Sequence, residues 1–178
     1  MDLEVIETKS GGDLVAKKRD VSIIEGFENM PYLAMFGGNT EQSTPLTRID
    51  GQQAFDWWGN NLFFLNDQSK QMNSLTERTL NSVALNSAGR LQIEEAIKQD
   101  LQFMASFANV EVSVSIIGPD AILIGVRISK PENLSQQTFA YIWDATISEL
   151  IELEVTGSGQ VQVPTGGVFD LTFDPSFN

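Results

Sequence analysis

Carboxylates are the residues best equipped for acid–base or nucleophilic chemistry in this sequence, because it contains neither histidine nor cysteine. Ser-His-Asp, Cys-His and His-zinc arrangements all require an imidazole that titrates or ligates near neutral pH. Thiolate nucleophiles and disulfides are excluded with cysteine. The acids that remain in suggestive positions are Glu94 with Glu95, the run Glu149, Glu152 and Glu154, and Asp170 with Asp174. A glycosidase needs two carboxyl groups about 5–10 Å apart across a cleft. Neighbours on a helix project about 100° apart, so Glu94 and Glu95 cannot flank one bond. The paired glycines lack the strand-loop-helix setting and the Lys-Ser/Thr of a phosphate loop. Asp170 and Asp174 do not have the spacing of a calcium loop. The sequence therefore assigns no catalytic residue, no cofactor site and no metal site, and the chain reads as a non-enzyme.

Formal charge is −13, from 24 acidic and 11 basic residues. Such a chain repels a phosphate backbone, which argues against nucleic-acid binding. The charge is uneven: no Lys or Arg follows Lys130, whereas Glu132, Asp144, Glu149, Glu152, Glu154, Asp170 and Asp174 do. That end is either a solvated acidic face or a docking surface for a basic partner. With 178 residues, 42% hydrophobic and 20% charged, the composition suits one globular domain with an extension. The longest apolar runs are too short to cross a bilayer, and no basic-then-apolar leader opens the chain. The expectation is a soluble product made in the cytoplasm, without membrane insertion.

The elements that position these residues follow from periodicity. Residues 2–24 read as a hairpin around Ser10-Gly11-Gly12-Asp13, with a further strand at Val21–Ile24. A short helix is expected to begin near Met30, where Pro31 fits a first turn, and to end at Gly37-Gly38. Residues 38–53 read as an exposed polar loop, and Leu62–Leu65 as a short buried strand or extended segment. Ser74 and Glu77 make a capping-box signature ahead of a stripe of Leu80, Val83, Ala84 and Ser87. Asn86 and Ser87 offer an N-cap for a long helix over 88–108. Its face carries Ile93, Ala96, Ile97, Leu101, Met104 and Ala108, widened by Phe103 and Phe107. Val112, Val114 and Ile116 then alternate with polar residues, Gly118-Pro119-Asp120 turns the chain, and Ile122, Ile124, Val126 and Ile128 alternate on the return. That hairpin has one buried and one wetter face, with the helix as its cover.

Phe139, Tyr141 and Trp143 keep the period of two and predict a third strand. Residues 145–156 fit either a helix or a strand. Beyond Gly157 two short β-like pieces, 160–163 and 168–173, are punctuated by glycine and proline. The fold class is thus α+β: antiparallel hairpins packed on one long helix and one or two shorter ones, with a β-prone C-terminal extension. Residues 1–156 form the domain and 157–178 the extension, which suits strand addition to a neighbour. Trp57 and Trp58 cannot both face one core from a strand. Candidate partner-interface residues are therefore Trp57, Trp58, Phe139, Tyr141, Trp143, Val161, Val163, Phe169, Leu171 and Phe173.

Several pieces occur together in a recognisable order. Gly11 to Leu14 reads Gly-Gly-Asp-Leu, and Gly26 to Asn29 reads Gly-Phe-Glu-Asn, leading to Leu33-Ala34-Met35-Phe36. Asp56-Trp57-Trp58-Gly59, Leu85-Asn86-Ser87-Ala88-Gly89 and Asp100-Leu101-Gln102-Phe103-Met104 follow, and then the Val-rich hairpin. Over about residues 10–130 this order resembles the small baseplate wedge proteins of Mu-type contractile-tailed phages, relatives of the sheath-base wedge proteins of contractile injection systems. The resemblance implies a structural subunit of the tail baseplate in the virion, present in multiple copies in a symmetric assembly. It would link hub and spike to outer wedge subunits and support the sheath, with hub, spike, sheath or tube subunits as partners. The Glu-Pro-Arg element of the sheath-base branch does not occur here, so that branch's core-bundle contact is not carried over. Two other readings stand beside it: a carboxylate-based cell-wall hydrolase acting during entry, and a tail-assembly adaptor or chaperone.

Overall fold

The computed structural model describes residues 2–3, 5–8, 11–17, 20–24, 29–38, 63–64, 66–70, 72–130, 133–146, 149–153, 155, 160–162 and 168–170. The chain divides into two compact units, Met1–Arg78 and Thr79–Asn178.

In the first unit, short antiparallel strands pair as β1 (Asp2–Leu3) with β6 (Ile23–Ile24), β2 (Val5–Thr8) with β3 (Gly11–Leu14), and β4 (Ala16–Lys17) with β5 (Asp20–Val21). The expected hairpin is present, with its turn displaced. Thr8 pairs with Gly11, so Gly11-Gly12-Asp13 belong to the returning strand and the connection is a two-residue one. Helix α1 (Asn29–Phe36) starts beside Met30 and holds Pro31 in its first turn, where the missing N–H has no partner to lose. Gly38 then adopts a φ of 126°, a conformation that disfavours any side chain, and ends the element. Ser74 ties down this corner: its N–H donates to the Gly38 carbonyl at 2.7 Å and its hydroxyl to the Met35 carbonyl. The same hydroxyl accepts from the Glu77 N–H at 3.1 Å, so Ser74 caps α2 (Leu75–Ser82) as the sequence predicts. Helix α2 stops at Ser82, so Val83 and Ala84 do not continue its stripe. Of the short buried strand or extended segment expected over 62–65, two positions are described: Phe63 is helical and exposed, against the expectation, and Phe64 lies in neither helix nor strand and is half-buried.

In the second unit, helix α3 (Ser87–Asp100) is capped by Asn86, whose side-chain oxygen accepts from the N–H groups of Ala88 and Gly89 at 3.0 and 2.9 Å. Gly89 leaves room for the Ala84 carbonyl, against which any Cβ would clash. The helix is shorter than its apolar stripe. At Leu101 the chain tightens into a 3-10 segment, Gln102–Ser106, so α3 spans 14 residues, about 21 Å at 1.5 Å per residue. Ile93, Ala96, Ile97, Leu101 and Met104 are buried, but Phe103 and Phe107 are 50% and 40% exposed rather than part of the core face.

Four antiparallel strands follow as a meander in the order β10-β9-β8-β7: β7 (Asn109–Ile116), β8 (Ala121–Lys130), β9 (Asn133–Asp144) and β10 (Glu149–Leu153). The ambiguous stretch at 145–156 resolves as strand at 149–153, where it finds ladder partners from Ala140 to Asp144. One face of the sheet buries Val112, Val114, Ile122, Ile124, Val126, Ile128, Phe139, Tyr141, Trp143 and Leu150, in registered rows. On the opposite face β7 carries Glu111 and Ser115, polar and half-buried as expected, but the face is not wet throughout. Leu123, Ala140, Ile142 and Leu153 form a second buried cluster with Val161, which lies on β11 (Gln160–Gln162). Strand β11 pairs with β12 (Val168–Asp170), so the two C-terminal β pieces make their own hairpin. The helix α3 runs beside β7, and the second cluster lies on the other side of the sheet's centre. The architecture is α+β, as expected.

Candidate functional site

Of the acids first considered for chemistry, Glu94 and Glu95 are held by neighbours on α3. Both oxygens of Glu94 are engaged, Oε2 by Arg90 Nη1 at 3.0 Å and Oε1 by Lys98 Nζ at 2.7 Å. These partners lie one turn before and one turn after it on α3, the spacing that brings side chains together on a helix surface. Glu95 points elsewhere and accepts from the Gln99 amide at 3.3 Å. Glu111 pairs with Arg127 across the β7–β8 ladder at 3.0 Å. Glu152 is exposed on β10. Among the described residues no cluster of three or more acidic side chains is arranged to hold a metal ion, and no helix is long and apolar enough to cross a membrane.

Among the described residues a groove of 710 Å³ lies beside β7, the outer strand of the described sheet. One wall is the C-terminal half of α3 and the 3-10 segment, with Glu95, Lys98, Gln99, Gln102 and Ala105. The other is the start of β7, from Asn109 to Val112. Phe107 lies at the junction, and its ring meets that of Phe103 at a centroid separation of 6.5 Å and a tilt of 56°. The pair is an aromatic ridge of favourable geometry, left open to solvent. The mixture of an open strand edge, aliphatic lysine stem and aromatic ridge suits a protein contact better than turnover of a small substrate.

The sequence-derived candidates fall into three groups. Trp57, Trp58, Val163, Leu171 and Phe173 lie outside the described residues. Phe139, Tyr141, Trp143 and Val161 are buried in the chain's own second unit, at 9%, 1%, 1% and 0% exposure. Their alternation is therefore the signature of a packed sheet face, and these side chains are not open surface on this chain. Phe169 is on β12 directly opposite Val161. Sequence reasoning missed the exposed pair Phe103 and Phe107, placing both on the core face. The signal that separates them is the end of α-helical spacing after Asp100, which neither propensity nor a breaker residue announces.

The chain matches no family model, no curated protein and no solved structure.

Proposed function

We propose that this chain is a non-enzymatic structural subunit of a contractile-tail baseplate wedge, in a phage or a phage-derived injection machine. In this role it links hub and spike to outer wedge subunits and supports sheath assembly, in several copies around the tail axis. The reading rests on the ordered motifs over about residues 10–130. The observation that carries it is the behaviour of one motif, Asp100-Leu101-Gln102-Phe103-Met104. Leu101 and Met104 turn into the core, while Phe103 joins Phe107 on the open ridge beside the groove. A motif that splits between core and exposed aromatic surface fits a chain whose work is contact with neighbours. The engagement of both Glu94 oxygens by cations fits a structural use of that acid.

The direct test is assembly of particles lacking this chain, viewed by negative-stain microscopy. The expected result is absence of sheathed tails; intact sheathed tails overturn the proposal. Mass spectrometry of purified particles separates a resident subunit from an assembly chaperone, which leaves no peptide in the mature tail. Peptidoglycan zymography separates it from a hydrolase: clearing that is abolished by substituting one Glu would replace the structural reading.

A further inference from the structure

Strand β7 is the outer strand of the described sheet. An outer strand offers outward N–H and C=O groups to any extended chain, and proteins blunt such edges with charge or by shortening the open stretch. In an antiparallel ladder the outward groups recur every second residue, so Val110, Val112, Val114 and Ile116 present theirs to one side. Arg90 reaches that side from α3: its Nη1 lies 3.3 Å from the Val114 carbonyl oxygen. The same nitrogen donates to Glu94 Oε2 at 3.0 Å, and the other Glu94 oxygen accepts from Lys98 at 2.7 Å. The guanidinium is thus held in place over the edge by a carboxylate that is itself clamped.

We propose that Arg90 is an edge guard that blocks strand addition along the second half of β7 and so keeps copies of this chain from pairing through it. With Val114 occupied, only the stretch Asn109–Val112 opens onto the groove. Four residues span about 14 Å at 3.4 Å per residue, half the length of β7 and half its outward groups. Removing the guard returns the full strand, Asn109–Ile116, to the open edge. A second copy is the occupant in view because its own β7 carries the same outward N–H and C=O groups over the same eight residues, so two such edges are self-complementary about a two-fold axis. This inference is independent of the proposed baseplate role.

The test uses the full chain carrying Arg90→Met, which keeps the aliphatic stem but loses the donors. Size-exclusion chromatography with light scattering across a concentration series, with thioflavin T fluorescence, reads self-association; far-UV circular dichroism reads folding. The expected result is a shift to larger mass at concentrations where the wild type shows none, reversed by adding Ile116→Pro, which deletes one outward N–H. Glu94→Gln, which keeps Arg90 but loosens its hold, is expected to shift in the same direction by less, and it carries the test if Arg90→Met does not fold. A folded variant whose mass matches the wild type throughout overturns the proposal and leaves Arg90 a helix–strand tether. Self-association that Ile116→Pro does not relieve overturns it equally.

Discussion

Trp143 stands directly opposite Ile122 in the β8–β9 ladder, and the two side chains are 1% and 0% exposed. Leu150 flanks Trp143 on the other side, on β10. The tryptophan is therefore a central plate of the sheet's main buried face. Trp143→Ala is expected to destabilise the second unit by about 3–5 kcal/mol, the range for removing a large buried aromatic. Urea denaturation followed by circular dichroism measures it. A loss of partner binding with stability unchanged would show instead that the residue serves an interface.

The start of α3 depends on Asn86, whose side chain satisfies two of the N–H groups that a helix leaves without partners. Asn86→Ala is expected to lower stability by about 1 kcal/mol, and Asn86→Asp to retain most of it, because the aspartate accepts the same bonds and favours the positive helix end. Equilibrium denaturation of the two variants checks the order. Equal losses would mean that the cap is not what orders this turn.

These two sites mark how much of the fold was legible. Asn86, Ser74 and the alternation from Val112 to Ile128 announce themselves because capping and strand burial depend on neighbours within a few residues. The end of α3 did not. Its stripe continues to Ala108, but beyond Leu101 the chain advances by three residues per turn. On that spacing Met104 lines up with Leu101, while Phe103 is rotated about a third of a turn away from both. The second buried face was hidden for another reason: Leu123, Ala140 and Ile142 are covered by Val161, from a segment whose short apolar pieces carry no mark of where they pack. The groove was equally invisible, since backbone edges leave no residue signature.

The exposed ridge yields a separation of stability from function. Phe103 is half exposed, so Phe103→Ser is expected to change stability by no more than about 0.5 kcal/mol. If the ridge seats a neighbouring subunit, the same variant, and more so Phe103→Ser with Phe107→Ser, is expected to fall out of purified particles. Quantitative mass spectrometry of particles grown with each variant measures this. Wild-type incorporation of the double variant would remove the ridge from the assembly contacts.

Asp67 supplies a pH-dependent local contact. The Ser69 hydroxyl donates to Oδ1 at 2.6 Å and Lys70 lies 3.0 Å from Oδ2, and these bonds hold its pKa below the ordinary 3.8. The sign follows from linkage: a depressed carboxyl favours the folded turn above its unfolded pKa and loses that contribution as pH falls through the folded value. A carboxyl-carbon NMR titration is expected to place the Asp67 midpoint below 3.8 and to move it up in Ser69→Ala. A midpoint unmoved by that change would assign the shift to Lys70.

Val161 decides whether the chain's end is an appendage or part of the second unit. It is fully buried with Leu123, Ala140, Ile142 and Leu153, and Ile117, Ile151 and Val155 pack around them. An appendage can be cut without consequence, but a residue that covers one face of a sheet cannot. Val161→Ala is expected to cost about 1.5–3 kcal/mol, comparable to exposing a buried valine. Ending the chain at residue 156 uncovers the same cluster and is expected to lower stability further and raise binding of a hydrophobic dye. Thermal melts and dye fluorescence on the full chain, the point variant and the shortened chain make the comparison. A shortened chain that melts with the full one would return residues 157–178 to the role of a free interaction segment, and Val161 with them.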